Sequence, residues 1–166
     1  HDQSSAASDV YKRQEETDEG KIIDRIKPLS KKIAANKSWV KPEYFNVDKE
    51  QGFGLHLLHE EKDHSLAVFA IAWAPGEGLA PHNHKTWAVV AGIQGQEHET
   101  SYKRIDDGTT DGFADLVKTN EETIYAGDAT CCLPEDIHSV WNNGREIALS
   151  IHTYGCLLYT SDAADD

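Results

Sequence analysis

Gly78-Leu79-Ala80-Pro81-His82-Asn83-His84-Lys85-Thr86-Trp87, running on to Gly95-Gln96-Glu97, is the stretch around which this chain is organised. Side chains in a strand alternate with period two, so His82 and His84, one residue apart, are expected on one face. Two imidazoles on one face of a rigid strand are half of a site for a divalent metal. The other half is sought downstream. There Gly127, Pro134, His138 and Asn142 supply a third histidine at the start of a strand, after a Gly-turn-Pro entry. Three imidazoles on facing strands of a small barrel hold a metal facially and leave positions open for substrate.

The flanking sequence has the texture of such a barrel. Strands are expected over residues 55–59, 65–73, 81–93, 98–105, 114–119, 122–125, 129–133, 138–141 and 146–154, punctuated by Gly, Asp and Pro turns. Asn142-Asn143-Gly144 is a strong hairpin signal. The whole predicts an all-β jelly-roll barrel. Ahead of it, Ile22, Ile23, Ile26, Leu29 and Ile33 fall at helical spacing. Pro28 interrupts them, which predicts two short helices, the second starting near the proline, packed on the barrel as a lid. No internal repeat or low-complexity tract is evident.

A length of 166 residues with 39% apolar content suits one well-packed domain. The net charge of −13 argues against nucleic acid or an anionic membrane as partner. No apolar run approaches the roughly 18 residues of a membrane helix, and the N-terminus lacks a secretory signal pattern. Three cysteines, two of them adjacent, make no disulfide framework, so a cytoplasmic location is expected. Residues 4–14 resemble the translation of a transposase adapter used in sequencing libraries, and residues 156–166 resemble its reverse complement. Residues 1–14 and 156–166 are therefore expected to be non-native tails, leaving a helical segment over 15–45 and a barrel domain over 46–155. Without the tails 24 acids stand against 14 bases, so the remainder is still acidic.

Ser150, His152 and Tyr154 alternate along the last strand and so share a face. Such a row can form a hydrogen-bond relay that fixes the imidazole tautomer and aims the phenol.

Taken together, these residues resemble the cupins. The first cupin motif is matched by Gly78, His82, His84 and Gly95, and the second by Gly127, Pro134, His138 and Asn142. Most cupins carry a glutamate ligand four or five residues after the histidine pair, where this chain has Ala88 and Val89. A three-histidine set without carboxylate resembles the thiol dioxygenase branch, and the Ser150-His152-Tyr154 row resembles the outer-sphere triad of cysteine and 3-mercaptopropionate dioxygenases. The resemblance implies a cupin jelly roll that binds Fe(II), the Fe(2+) ion, through His82, His84 and His138. It implies oxidation of a small thiol by O2 to the sulfinate, with Tyr154, His152 and Ser150 as the catalytic row. Mammalian-type relatives also bear a thioether to the triad tyrosine, which neither Ala88 nor Val89 can form. The position where relatives grip the substrate carboxylate falls at or near His56, which lacks arginine's fork of donors. Arg104, on the strand after Gly95, is an alternative grip, and Trp87 is close enough in sequence to wall the pocket.

Two rivals accompany this expectation: a three-histidine cupin oxygenase acting on a carbon substrate such as a diketone, and a non-catalytic cupin that binds metal or a small ligand. His59, His64 and His98, set among charges, are expected at the surface. Cys131 and Cys132 must face opposite sides of their strand and cannot chelate one metal jointly. Trp73, Trp87 and Trp141 read otherwise as core.

Overall fold

The computed structural model describes residues 18–155, so both expected tails lie outside the described residues. The chain opens with α1 (Glu19–Ala35), capped by Asp18, whose carboxylate accepts from the amides of Gly20 at 2.9 Å and Lys21 at 3.3 Å. The helix is continuous, so the two helices expected around Pro28 are one. Pro28 and Asp24, the residue four before it, are both exposed, so water can replace the missing hydrogen bond. The buried stripe of Ile22, Ile23, Ile26, Ser30 and Ala34 continues past the proline on the other side. Two 3-10 turns, Lys37–Trp39 and Pro42–Phe45, lead into the strands.

Among the described residues nine strands follow: β1 (Phe53–Glu60), β2 (Ala67–Trp73), β3 (Gly78–His82), β4 (Ala88–Gln94), β5 (Gln96–Arg104), β6 (Leu116–Tyr125), β7 (Ala129–Cys132), β8 (Ile137–Trp141) and β9 (Ala148–Tyr154). They form two antiparallel sheets, ordered β1-β2-β9-β4-β7 and β3-β8-β5-β6, giving the jelly roll expected from the sequence. Three local expectations are corrected. The strand expected over residues 81–93 is broken between His82 and Ala88, the two strands expected over 114–125 are one, and Asn142-Asn143-Gly144 carries the chain between the sheets instead of closing a hairpin.

Strand β9 is buried along its whole length. Register places Ser150 opposite Ile71 and Gly92, His152 opposite Phe69 and Val90, and Tyr154 opposite Ala67 and Ala88. Paired residues share a face, so all of these look into the barrel. The alternate residues look outward. Leu149 and Ile151 join Ala70, Ala72, Ala91 and Ile93 beneath Ala34 of α1, with Trp39, Tyr44 and Phe45 of the 3-10 turns around them. The helical segment therefore covers the outer face of the sheet, not the barrel mouth.

Two of the motif glycines are explained by space. A Cβ on Gly78 would lie 2.0 Å from the Val140 carbonyl oxygen on β8. Gly95 turns β4 into β5 at φ +71°, with Ala148 Cα 2.9 Å from where its Cβ would be. The motif asparagine is a strut. Asn142 is fully buried, and its Nδ2 donates to the Trp73 carbonyl at 2.9 Å and the Glu146 carbonyl at 2.8 Å, while Oδ1 accepts from Gly144 N–H at 2.9 Å. Asn142→Ala, which orphans those partners, is expected to lower stability by about 2–3 kcal/mol in urea unfolding, without changing metal stoichiometry.

Candidate metal centre

His82 ends β3 and pairs with His138 on β8, across the sheet. His84 lies beyond the strand, in the turn to β4, where Lys85 takes a left-handed φ of 54°. Their rings converge as the spacing suggests, although His84 lies just past the end of the strand that the period-two argument assumed. Ring centroids are 4.8 Å apart for His82 and His84, 4.6 Å for His82 and His138, and 5.1 Å for His84 and His138. One ligand atom from each lies within 4.8 Å of the others.

The tautomers suit a metal. His82 Nδ1 donates to the Ala80 carbonyl at 2.7 Å, leaving Nε2 as its lone-pair nitrogen. His138 Nδ1 faces the Glu99 carboxylate at 2.6 Å, with both groups buried, and its Nε2 is 2.9 Å from His84 Nε2. Burial lowers the pKa of His82, and burial followed by the charges of His82, His138 and His152 lowers that of His84 to about 3. Both are therefore neutral, the form that ligates. Burial alone would also lower His138, but the Cys132 sulfur 3.7 Å from Nδ1 and the Glu99 carboxylate outweigh it and push it up to about 10. The shorter of the two contacts is the one to Glu99, at 2.6 Å. A metal has only to displace the proton between His138 and His84, while Glu99 keeps the Nδ1 proton in place.

The expected row is closed. Ser150 Oγ and His152 Nε2 are 2.8 Å apart, and His152 Nδ1 and Tyr154 Oη are 3.1 Å apart, all three residues buried. Burial lowers His152 to about 3 and raises Tyr154 above its ordinary range, so the row holds a neutral imidazole and a protonated phenol. The Tyr154 ring lies 5.1 Å from His84 and is flanked by Phe69, which joins the row to the cluster.

The three expected substrate contacts lie elsewhere. His56 pairs with Ala70, on the outer face of the sheet, under Tyr44 at 5.6 Å. It is thus on the opposite side of the sheet from His152. Trp87 has the parity of Val89 and packs with Ile22, Ile23 and Ile26 of α1. The Arg104 guanidinium is exposed and bound to Asp106 and to the Phe113 carbonyl. The remaining expectations fare better. His64, beside Glu60, is exposed, whereas His59, beside Glu61, and His98, beside Thr123 and Glu121, are half-buried. Cys131 faces out and Cys132 in, as alternation requires. Trp73 is core, but Trp141 is 40% exposed because Val140 takes the inward position.

Sequence reasoning passed over Glu97 and Glu99, which alternate inward on β5. Of the two cysteines, expected as one in the core and one lining, Cys132 is the one that lies beside His138. Glu99 and Cys132 line a cavity of about 420 Å³ on the Nδ1 side of His138, into which Lys27 also projects. The signal that could have found them is parity: Glu97, Glu99 and Ser101 share a face, and Ser101 pairs with His138.

Glu99→Gln removes the charge behind His138 and is expected to weaken Fe(II) or Zn(II) binding by about 10- to 100-fold in a competition titration. The metal-free fold should also respond to acid. His84 and His152 have folded pKa values depressed to about 3, so the unfolded chain binds more protons between that value and about 6.5. Stability is then lost as pH falls through this window. Urea midpoints from pH 7 to 4 check this, with the slope reduced in His152→Gln.

No family model matches the chain. In fold it is similar to the cupin domain of Schizosaccharomyces pombe Cnp3, with a TM-score of 0.53 at 11% identity over 76% of this chain and 74% of that one. It is similar as well to oxalate oxidase in complex with the substrate analogue glycolate, with a TM-score of 0.52 at 16% identity over 67% of this chain and 54% of that one. The chain thus spans about half the length of that oxidase. Among the described residues no helix is long and apolar enough to cross a membrane. The chain is a cupin-type double-stranded β-helix whose three clustered histidines could hold a metal ion.

Proposed function

We propose that this protein is a non-haem Fe(II) thiol dioxygenase that oxidises a small thiol with O2 to the sulfinate, working in a reducing cytoplasm. The observation that carries the proposal is the closed Ser150–His152–Tyr154 row ending 5.1 Å from the ring of a carboxylate-free three-histidine cluster. The donor set fits the ion: three imidazoles with two tautomers fixed from behind, by the Ala80 carbonyl and by Glu99. Held by His82, His84 and His138, Fe(II) would supply a centre of undiminished charge at which thiolate and dioxygen meet. The reaction balances without a further reductant, since sulfur gives up four electrons and dioxygen takes four.

The protein's part is orientation and electrostatics. As neutral ligands, His82 and His84 would leave the charge of a bound metal uncancelled and so available to an anionic thiolate. His152, neutral and bonded on both nitrogens, holds the Tyr154 hydroxyl in place. The phenol, kept protonated by burial, is a fixed donor at the pocket wall. Phe69 and Ala88 on the neighbouring strands keep water from its ring.

Oxygen uptake by the Fe(II)-loaded protein tests this against cysteine, 3-mercaptopropionate, cysteamine and mercaptosuccinate. Uptake should match sulfinate formation and vanish in His84→Ala. Tyr154→Phe should keep its iron and lose about 100-fold in turnover. Absence of uptake with every thiol from a folded, iron-replete protein would contradict the proposal. Uptake with a diketone instead would assign a carbon-substrate oxygenase, and unchanged ligand binding with no turnover a binding cupin.

A further inference from the structure

Glu97 lies on the inward face of β5 and is 3% exposed, yet neither carboxyl oxygen has a hydrogen-bond partner among the described residues. The Ser150 hydroxyl, at the inner end of the β9 row, lies beside it. A buried carboxyl with no hydrogen bond to either oxygen is far cheaper protonated than ionised. Burial pushes its pKa up to about 8. Ser150 opposes that shift, Glu99 on the same strand adds to it, and His138 on β8 opposes it. Glu99, by contrast, has a partner, its Oε2 lying 2.6 Å from His138 Nδ1, so the two carboxyls two residues apart have different surroundings.

The row itself has two self-consistent directions, because a neutral imidazole carries one N–H. In one, Ser150 donates to His152 Nε2, Nδ1–H donates to Tyr154 Oη, and the phenol proton is free to point into the histidine pocket. In the other, Tyr154 donates to Nδ1, Nε2–H donates to Ser150, and Ser150 donates onward. Only an acceptor beyond Ser150 favours the second direction, and only a donor there favours the first. Glu97 occupies that place.

We propose that Glu97 is the fourth member of the Ser150–His152–Tyr154 row, a neutral acid that donates to Ser150 Oγ and so sets the row's direction with the Tyr154 proton facing the pocket. It is a positioning residue, acting through three others. Ionised Glu97 reverses the row and turns Tyr154 from a donor at the pocket into an acceptor. What this does to turnover rests on the proposed thiol oxidation; the direction of the row does not.

The experiment follows two signals in the full metal-free chain between pH 6 and 10. Infrared spectra report the C=O stretch of a protonated carboxylic acid, and 15N spectra report which nitrogen of His152 bears the proton, with His152→Gln as the assignment control. At pH 7 the acid band should be present in the wild type and missing from Glu97→Gln, with His152 protonated at Nδ1 in both. Above about pH 8 the wild-type band should disappear while the proton moves to Nε2, and Glu97→Gln, which still donates, should keep Nδ1–H. A wild type without the band at pH 7, or one whose His152 tautomer stays put as the band is lost, overturns the proposal. Both signals come from the wild type, so the decision stands if the variant fails to fold. Failure to oxidise any thiol would leave them unchanged and would count against the proposed function alone.

Discussion

Burial of β9 on both faces is the constraint from which the site follows. A strand so placed has no water to satisfy its polar side chains, so Ser150, His152 and Tyr154 must satisfy one another or find partners on the facing sheet. They do both: the row is internally bonded, and its open ends meet Glu97 at one side and the histidine pocket at the other. The outward residues of the same strand need apolar cover, which α1 and the two 3-10 turns supply. One strand thereby couples the helical segment to the chemistry, and neither layer could be removed without exposing the other.

The polar interior is sorted by charge. Glu99 is matched with His138, the row is neutral, and Glu97 stands apart from any base. Unpaired ionised groups inside a barrel would cost more than the fold can offset, and the arrangement avoids them by giving one carboxyl a cation and the other a proton. The same sorting serves the cluster of imidazoles, because the group that fixes His138 from behind also holds its second proton away from the metal-binding nitrogen.

Much of this was legible in the chain. Period-two runs broken by glycine gave the barrel, the spacing of His82, His84 and His138 gave the cluster, and alternation alone gave the row on β9. Other parts were hidden for physical reasons. The helix across Pro28 looked broken because sequence does not say that the proline faces water. His82 and His84 converge as their spacing suggests, but only the first lies in a strand, because β3 ends at His82. Glu97 and Glu99 drew no reading from the sequence, because strand acids are ordinary at a surface; only the partner sheet reveals that they point inward. His56 was placed by counting back from His82, Trp87 by its closeness to the histidine pair and Arg104 by its strand, and none of these says which face of a sheet a residue joins.

The central claim is that three imidazoles, and no carboxylate, present a metal that takes a thiolate. X-ray absorption at the iron edge of the Fe(II)-loaded protein, before and after adding each thiol, tests it directly. The account predicts a shell of three imidazole nitrogens with light water-like ligands, and a new sulfur neighbour with the thiol that serves as substrate. Iron bound through Glu97 or Glu99, or no sulfur shell with any thiol in the panel, would contradict it.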